Sequence, residues 1–160
     1  MNWKQRDMNN NTDMLNLLEG LLAKAKKKGA DAADAVHIQS QSLAVAQRLG
    51  SPEKLERSES SDIGLRAFIG KRQAIVSSSD SNPKALEELI DRVISMAKAV
   101  PEDPHCGLAN LNQLATKIID VDSFDSSEPT TDTLIDWASR AEETARAVPG
   151  ITNSEGSEVG

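Results

Sequence analysis

A chain of 160 residues with 38% apolar residues is long enough for one domain built on a single core. Its formal net charge of −7 argues against non-specific attraction to nucleic acid, because phosphate binding is driven by Lys and Arg displacing counterions. One cysteine, Cys106, excludes an internal disulfide and a four-cysteine metal site, and no apolar run approaches the roughly 20 residues that span a bilayer. The start, Met1-Asn2-Trp3-Lys4, lacks the apolar core of a secretory signal, so a soluble cytoplasmic protein is expected, with Cys106 as a small, partly buried residue.

Residues 1–12, polar and rich in Asn, read as a flexible leader. Thr12 or Asp13 can cap a helix whose apolar positions Met14, Leu18, Leu21, Leu22 and Ala25 recur at three- and four-residue steps as far as Lys28. Lys24, Lys26, Lys27 and Lys28 stand just before Gly29, where cations offset the helix dipole and Gly supplies a left-handed cap. From Ala35 the pattern alternates, with Val36 and Ile38 on one face. The parity then shifts to align Leu43 and Val45, which predicts a bulge or two strands joined at Ser40–Ser42.

Gly50-Ser51-Pro52 is a turn signal, and the polar run Glu53–Ser60 fits an exposed edge strand or a connector. Ile63, Leu65, Ala67 and Ile69 alternate cleanly, Gly70-Lys71 can turn the chain, and Arg72–Ser78 can return as the antiparallel partner. Asn82 and Pro83 then open a helix with the face Leu86, Leu89, Ile90, Val93, Ile94 and Ala97, stopped at Val100-Pro101. The expected fold class is α+β: a two-layer sandwich of an antiparallel sheet of about four strands with helices on one face, followed by a mainly helical C-terminal segment.

Beyond Pro101 the chain carries 12 Asp and Glu against 3 Lys and Arg and reads as a solvated acidic surface. Pro101, Pro104 and Gly107 mark a connector, and Leu108, Leu111, Leu114 and Ile118 fall at the steps of a short helix. An acidic loop runs from Asp120 to Pro129. A helix from about Thr131 follows, carrying Leu134, Ile135, Ala138, Ala141 and Ala145 and ended by Pro149-Gly150. The expected organisation is a leader over 1–12, an α+β domain over 13–100, a helical or irregular extension over 101–149, and over 150–160 the truncated start of a further region.

Chemistry is sparse along this pattern. His37 and His105 lie in different segments without the spacing of a zinc-binding helix, and the many serines lack a strand–turn–helix nucleophile elbow. The nine glycines are scattered, so no phosphate-cradling loop forms. The acidic pairs Glu56/Glu59 and Glu142/Glu143 read as ionised, solvated groups. The one segment of unusual texture is Glu56–Gly70, where charges of both signs adjoin a strand whose outward positions are Gly64, Arg66 and Phe68. A solvated sheet face accounts for it. An edge strand that pairs with a partner or peptide also does, with Arg57, Glu59, Asp62, Arg66 and Phe68 as the contact residues and Arg66 setting register.

The run from Glu56 to Arg66, then Ser77-Ser78-Ser79-Asp80, Ala99-Val100-Pro101-Glu102-Asp103-Pro104, Cys106-Gly107-Leu108-Ala109 and Val148–Gly156, resembles the amino-terminal region of the TldD/PmbA family, on its PmbA (TldE) side. The resemblance covers roughly Met14–Gly156. It implies a subunit that joins a TldD-like partner in a peptidase acting on peptides or poorly folded proteins; an older family label is modulator of DNA gyrase, which leaves a non-proteolytic regulatory module as the second reading. It also implies that zinc is held by a His-Glu-x-x-x-His motif in the TldD-like subunit. No such motif occurs here, so no cofactor and no catalytic residue carry over to this chain.

Overall fold

The clean alternation of residues 63–69 becomes one arm of an antiparallel hairpin. In the computed structural model, which describes residues 3–117 and 119–160 with side chains from Thr12 onward, the elements in chain order are α1 (Trp3–Lys27), β1 (Ala32–Arg48), β2 (Ser51–Ile69), β3 (Arg72–Ser78), α2 (Pro83–Ala99), a single 3₁₀ turn (Leu111–Gln113), α3 (Thr131–Arg146) and β4 (Ser157–Val159). The strands form one four-stranded antiparallel sheet in the order β3-β2-β1-β4, so the fold is α+β. The chain divides into two compact units, Met1–Gln39 with Ser60–Thr116 and Ser40–Glu59 with Lys117–Gly160, and the long strands β1 and β2 supply residues to both.

In the first unit, β2 pairs with β3 from Ile63 opposite Ser78 to Ile69 opposite Arg72, around a turn in which Gly70 takes φ 57°. Ile63, Leu65 and Ala67 are buried on one face with Ala74 and Val76 of β3. Leu86, Leu89, Ile90, Val93, Ile94 and Ala97 of α2 close over them, joined by Leu21 and Ala25 of α1. Each large side chain so buried contributes about 1.5–3 kcal/mol, which is why the helical face of α2 and the strand alternation locate the core together.

The cap of α2 is local chemistry. Asn82 sits in extended backbone and its Oδ1 accepts a hydrogen bond from the Ala85 N–H at 2.9 Å, while Pro83 occupies the first turn, where its missing N–H costs nothing. Asn82→Ala should cost about 1 kcal/mol, read as a lower urea midpoint with an unchanged m-value; an unaltered midpoint would show the cap to be dispensable. At the other helix, α1 ends on its lysines as expected. Gly29 takes φ 105° and the Ala30 N–H returns to the Ala25 carbonyl, while Lys24 and Lys28 reach Glu87 of α2.

Three expectations are corrected. Helix α1 starts at Trp3, ahead of Thr12, because no Gly or Pro interrupts residues 3–19; of the leader, Met1 and Asn2 lie outside the described residues. β1 is one continuous strand without a break at Ser40–Ser42. Its inward positions are the small residues Ala33 and Ala35, which pack against the core, while Val36 and Ile38 are 48% and 56% exposed. Small side chains let the helices approach, so here size outranks hydrophobicity in choosing the face. The helix expected over Leu108–Ile118 shrinks to the one turn at Leu111–Gln113. Leu108, Leu111 and Leu114 are exposed and Ile118 lies outside the described residues; a short segment with no surface to pack on cannot offset the cost of helix nucleation.

In the second unit, β4 pairs with β1 from Val45 opposite Val159 to Gln47 opposite Ser157, and α3 packs beside it with Leu134 and Ala138 buried. Thr130 caps α3 through the Thr133 N–H. Gly156 takes φ 107°, and a Cβ there would stand 2.7 Å from the Gln47 carbonyl oxygen, so this position admits only glycine without displacing the strand.

Candidate partner surface on the second strand

The turn joining β1 to β2 has positive φ at both central residues, Leu49 at 51° and Gly50 at 76°, the conformation that matches the twist of a two-residue hairpin. Glycine adopts it freely, whereas leucine does so at a cost of about 1 kcal/mol. What holds it is Glu142 of α3, expected to be solvated and found 2% exposed. Its carboxylate accepts hydrogen bonds from the Leu49 N–H at 2.7 Å, the Gly50 N–H at 3.0 Å and the Gln47 side-chain amide at 3.3 Å; the Gln47 side-chain oxygen in turn accepts from the Ser139 hydroxyl at 2.7 Å. The Gly50 N–H, foremost, with Ser154, Leu49 and Gln47, outweighs the effect of burial and lowers the Glu142 pKa to about 2. In the sequence, Glu142 stands in phase with Leu134 and Ala138 on the buried stripe of α3, the one sign that it faces inward; Ala141 and Ala145, expected on that stripe, are exposed.

The five residues expected to meet a partner are divided between the two units. In the first, Asp62 is half-buried and Arg66 is spanned by β1 and β3 rather than lying on an open edge. The Arg66 Nε donates to Asp34 at 2.9 Å, a second nitrogen donates to the same carboxylate, and this pairing raises the guanidinium pKa. The guanidinium also lies 5.0 Å from the centroid of the Phe68 ring, which is buried at 3% exposure. Arg66 is therefore committed within its own sheet and Phe68 does not face outward. Phe68, expected to face outward, is thereby corrected to a buried position, while Arg66 keeps a partly exposed side chain.

Arg57 and Glu59 lie in the second unit, beyond the reach of β3. The ladder with β3 starts at Ile63, so among the described residues the stretch Ser51–Glu59 of β2 has β1 as its sheet neighbour and its opposite edge open. Residues 51–61 are exposed throughout. Arg57 pairs with Glu59 at 2.9 Å, Gln41 donates to the same Glu59 oxygen at 2.7 Å, and Lys54 pairs with Glu56. Arg57 also borders a cleft of about 560 Å³ with Gln41, Leu43, Glu128, Pro129 and Leu134. The expectation of an exposed strand over Glu53–Ser60 thus holds, and the connector alternative does not.

The sequence profile of the PmbA/TldA metallopeptidase domain 1 family matches residues 33–97, from the start of β1 to the end of α2. The chain is 31% identical over 136 residues to the metalloprotease PmbA of Escherichia coli O157:H7, an alignment covering 84% of this chain and 30% of that protein. The chain belongs to the PmbA/TldE family. A metalloprotease PmbA homolog of Haemophilus influenzae is 29% identical over 133 residues, covering 82% of this chain and 29% of that protein. The fold agrees with TldE from Thermococcus kodakarensis at a TM-score of 0.64 and 18% identity, over 81% of this chain and 29% of that one. It also agrees with a candidate modulator of DNA gyrase from Bacteroides thetaiotaomicron at a TM-score of 0.74 and 20% identity, over 85% and 31%.

The chain spans about 30% of the length of the PmbA relatives it matches. The family is named for metallopeptidase chemistry, and the residues described here do not fit a metal centre. Among them, no group of three or more His, Cys, Asp and Glu side chains is arranged to hold an ion. His37 instead shares a 2.9 Å hydrogen bond with Ser61, and Cys106 is buried. No helix among the described residues is long and apolar enough to cross a membrane.

Proposed function

We propose that this chain is the first, non-catalytic domain of a PmbA/TldE-type subunit that works in the cytoplasm with a TldD-like zinc peptidase on peptides or poorly folded proteins. The observation that carries the reading is the match of residues 33–97 to domain 1 of this metallopeptidase family, together with PmbA similarity over 84% of the chain. In this reading the zinc chemistry belongs to the TldD-like subunit. The role of this domain is then structural, helping to shape a shared peptide chamber.

The test is to purify the full-length protein with and without a TldD-like subunit and follow cleavage of an unfolded peptide. The pair should form a complex and cut the peptide, with activity lost on chelation and restored by zinc, while the full-length protein alone stays inactive. Chelator-sensitive cleavage by the protein alone would reverse the assignment. The second reading, a non-proteolytic module acting on DNA gyrase, is suggested by the description of the Bacteroides thetaiotaomicron fold neighbour, and a supercoiling assay indifferent to the protein would remove it.

A further inference from the structure

The open edge of β2 carries a charge pattern that is its own complement. Residues 53–57 read Glu-Lys-Leu-Glu-Arg, so opposite charges stand at equal distances on either side of Leu55. We propose that this edge pairs with the same edge of a second copy of the chain, antiparallel and centred on Leu55.

Antiparallel strands place directly opposed side chains on one face, about 4.5–5.5 Å apart. Centring on Leu55 sets Leu55 against its own copy, flanked on that face by Glu53 opposite Arg57 twice; on the other face, Lys54 stands opposite Glu56 twice. Every opposed charge then meets its opposite. Leu55, 63% exposed on the single chain, gains an apolar partner. The neighbouring registers are penalised: moving the centre to Glu56 sets Glu56 against Glu56 and Glu53 against Glu59, and moving it to Lys54 sets Lys54 against Lys54. Pro52, which has no N–H to give, bounds the ladder at either end.

The edge is available for this pairing, since β3 stops opposite Ile63 and residues 51–59 are exposed. Mixed charge on an edge ordinarily guards it against indiscriminate strand addition. Here the order of the charges spares one partner from that guard, a copy of the same strand in one register. The occupant is therefore a second copy rather than an arbitrary peptide. This pairing does not depend on the peptidase reading.

The experiment follows the monomer–dimer equilibrium of the full-length protein, purified without other subunits, by sedimentation over a concentration series at low salt. A concentration-dependent dimer is expected, weakened at high ionic strength. Arg57→Glu, which opposes a carboxylate to Glu53 twice, should weaken dimerisation by about tenfold or more, and the double swap Glu53→Arg with Arg57→Glu should restore it. Leu55→Cys should cross-link rapidly under mild oxidation, because directly opposed residues fall within disulfide range, whereas Ser58→Cys should not. A protein that stays monomeric throughout, a dimer indifferent to Arg57→Glu, a charge swap that fails to rescue, or equal cross-linking of the two cysteine variants would each overturn the proposal.

Discussion

Replacing Glu142 by alanine should lower the melting temperature by about 10 °C and open the Leu49–Gly50 turn, read as rapid hydrogen exchange at those two amides. The carboxylate is the shared, buried acceptor for two backbone N–H groups and the Gln47 side chain, so its removal takes the acceptor from all three donors at once. Leu49 would then hold positive φ without the bond that secures it. Glu142→Gln keeps the shape but turns an NH₂ group toward N–H donors, so it should fall between the two. A variant as stable as the parent, with both amides still protected, would show that the turn is held by the strands alone.

The same carboxylate gives the stability a pH signature. Its folded pKa of about 2 lies below the ordinary value of 4.5. The unfolded chain therefore takes up the proton first on acidification, and the stabilisation is full above about 4.5 and lost as pH falls toward 2. The parent should lose melting temperature more steeply across that window than Glu142→Gln. Lys28, and after it Lys24, also lower the pKa of Glu87, but that carboxylate is exposed and screened, and its contribution is common to both proteins. Parallel acid profiles would remove Glu142 as the source.

The second large effect is expected at Leu65, which is fully buried where β2 meets the helices of the first unit. Leu65→Ala deletes the side chain at the centre of a cluster that includes Leu89, Ile90 and Val93, and should cost about 3 kcal/mol through lost transfer energy and the cavity left behind. Ile75→Ala is the control on β3: its side chain is 66% exposed, and the change should stay within about 0.5 kcal/mol. Equal losses from the two would mean that the burial pattern of the hairpin has been misassigned.

The parts of the fold legible in the sequence are those in which local pattern and burial coincide. Helix α2 is complete in its residues: Asn82 caps, Pro83 opens, six apolar side chains at helical spacing form one face, and Val100-Pro101 ends it, as found. The hairpin at Gly70 is equally explicit, since period-two alternation over Ile63–Ile69 allows one inward face and Gly70 supplies the turn. Helix α3 was recognisable in extent but not in the meaning of Glu142, because a carboxylate on an apolar stripe reads as solvated until the N–H groups it serves come from residues more than ninety positions away.

Charge and residue order by themselves determined that this chain is acidic, lacks the spacing of a metal or nucleophile site, and carries the ordered runs that place it in the PmbA/TldE family. Tertiary structure alone decided which face of β1 turns inward, because the small side chains of Ala33 and Ala35, rather than the larger Val36 and Ile38, fit beneath the helices. It likewise decided that Phe68 is buried and Arg66 is paired with Asp34 in its own sheet, while Arg57 lies beside an open edge. The structure joins Ser51–Ile69 into one strand, and only the length of β3 sets where its second neighbour ends. Backbone hydrogen bonding between strands is non-local and carries no residue code, so an edge becomes visible only when its neighbours are in place.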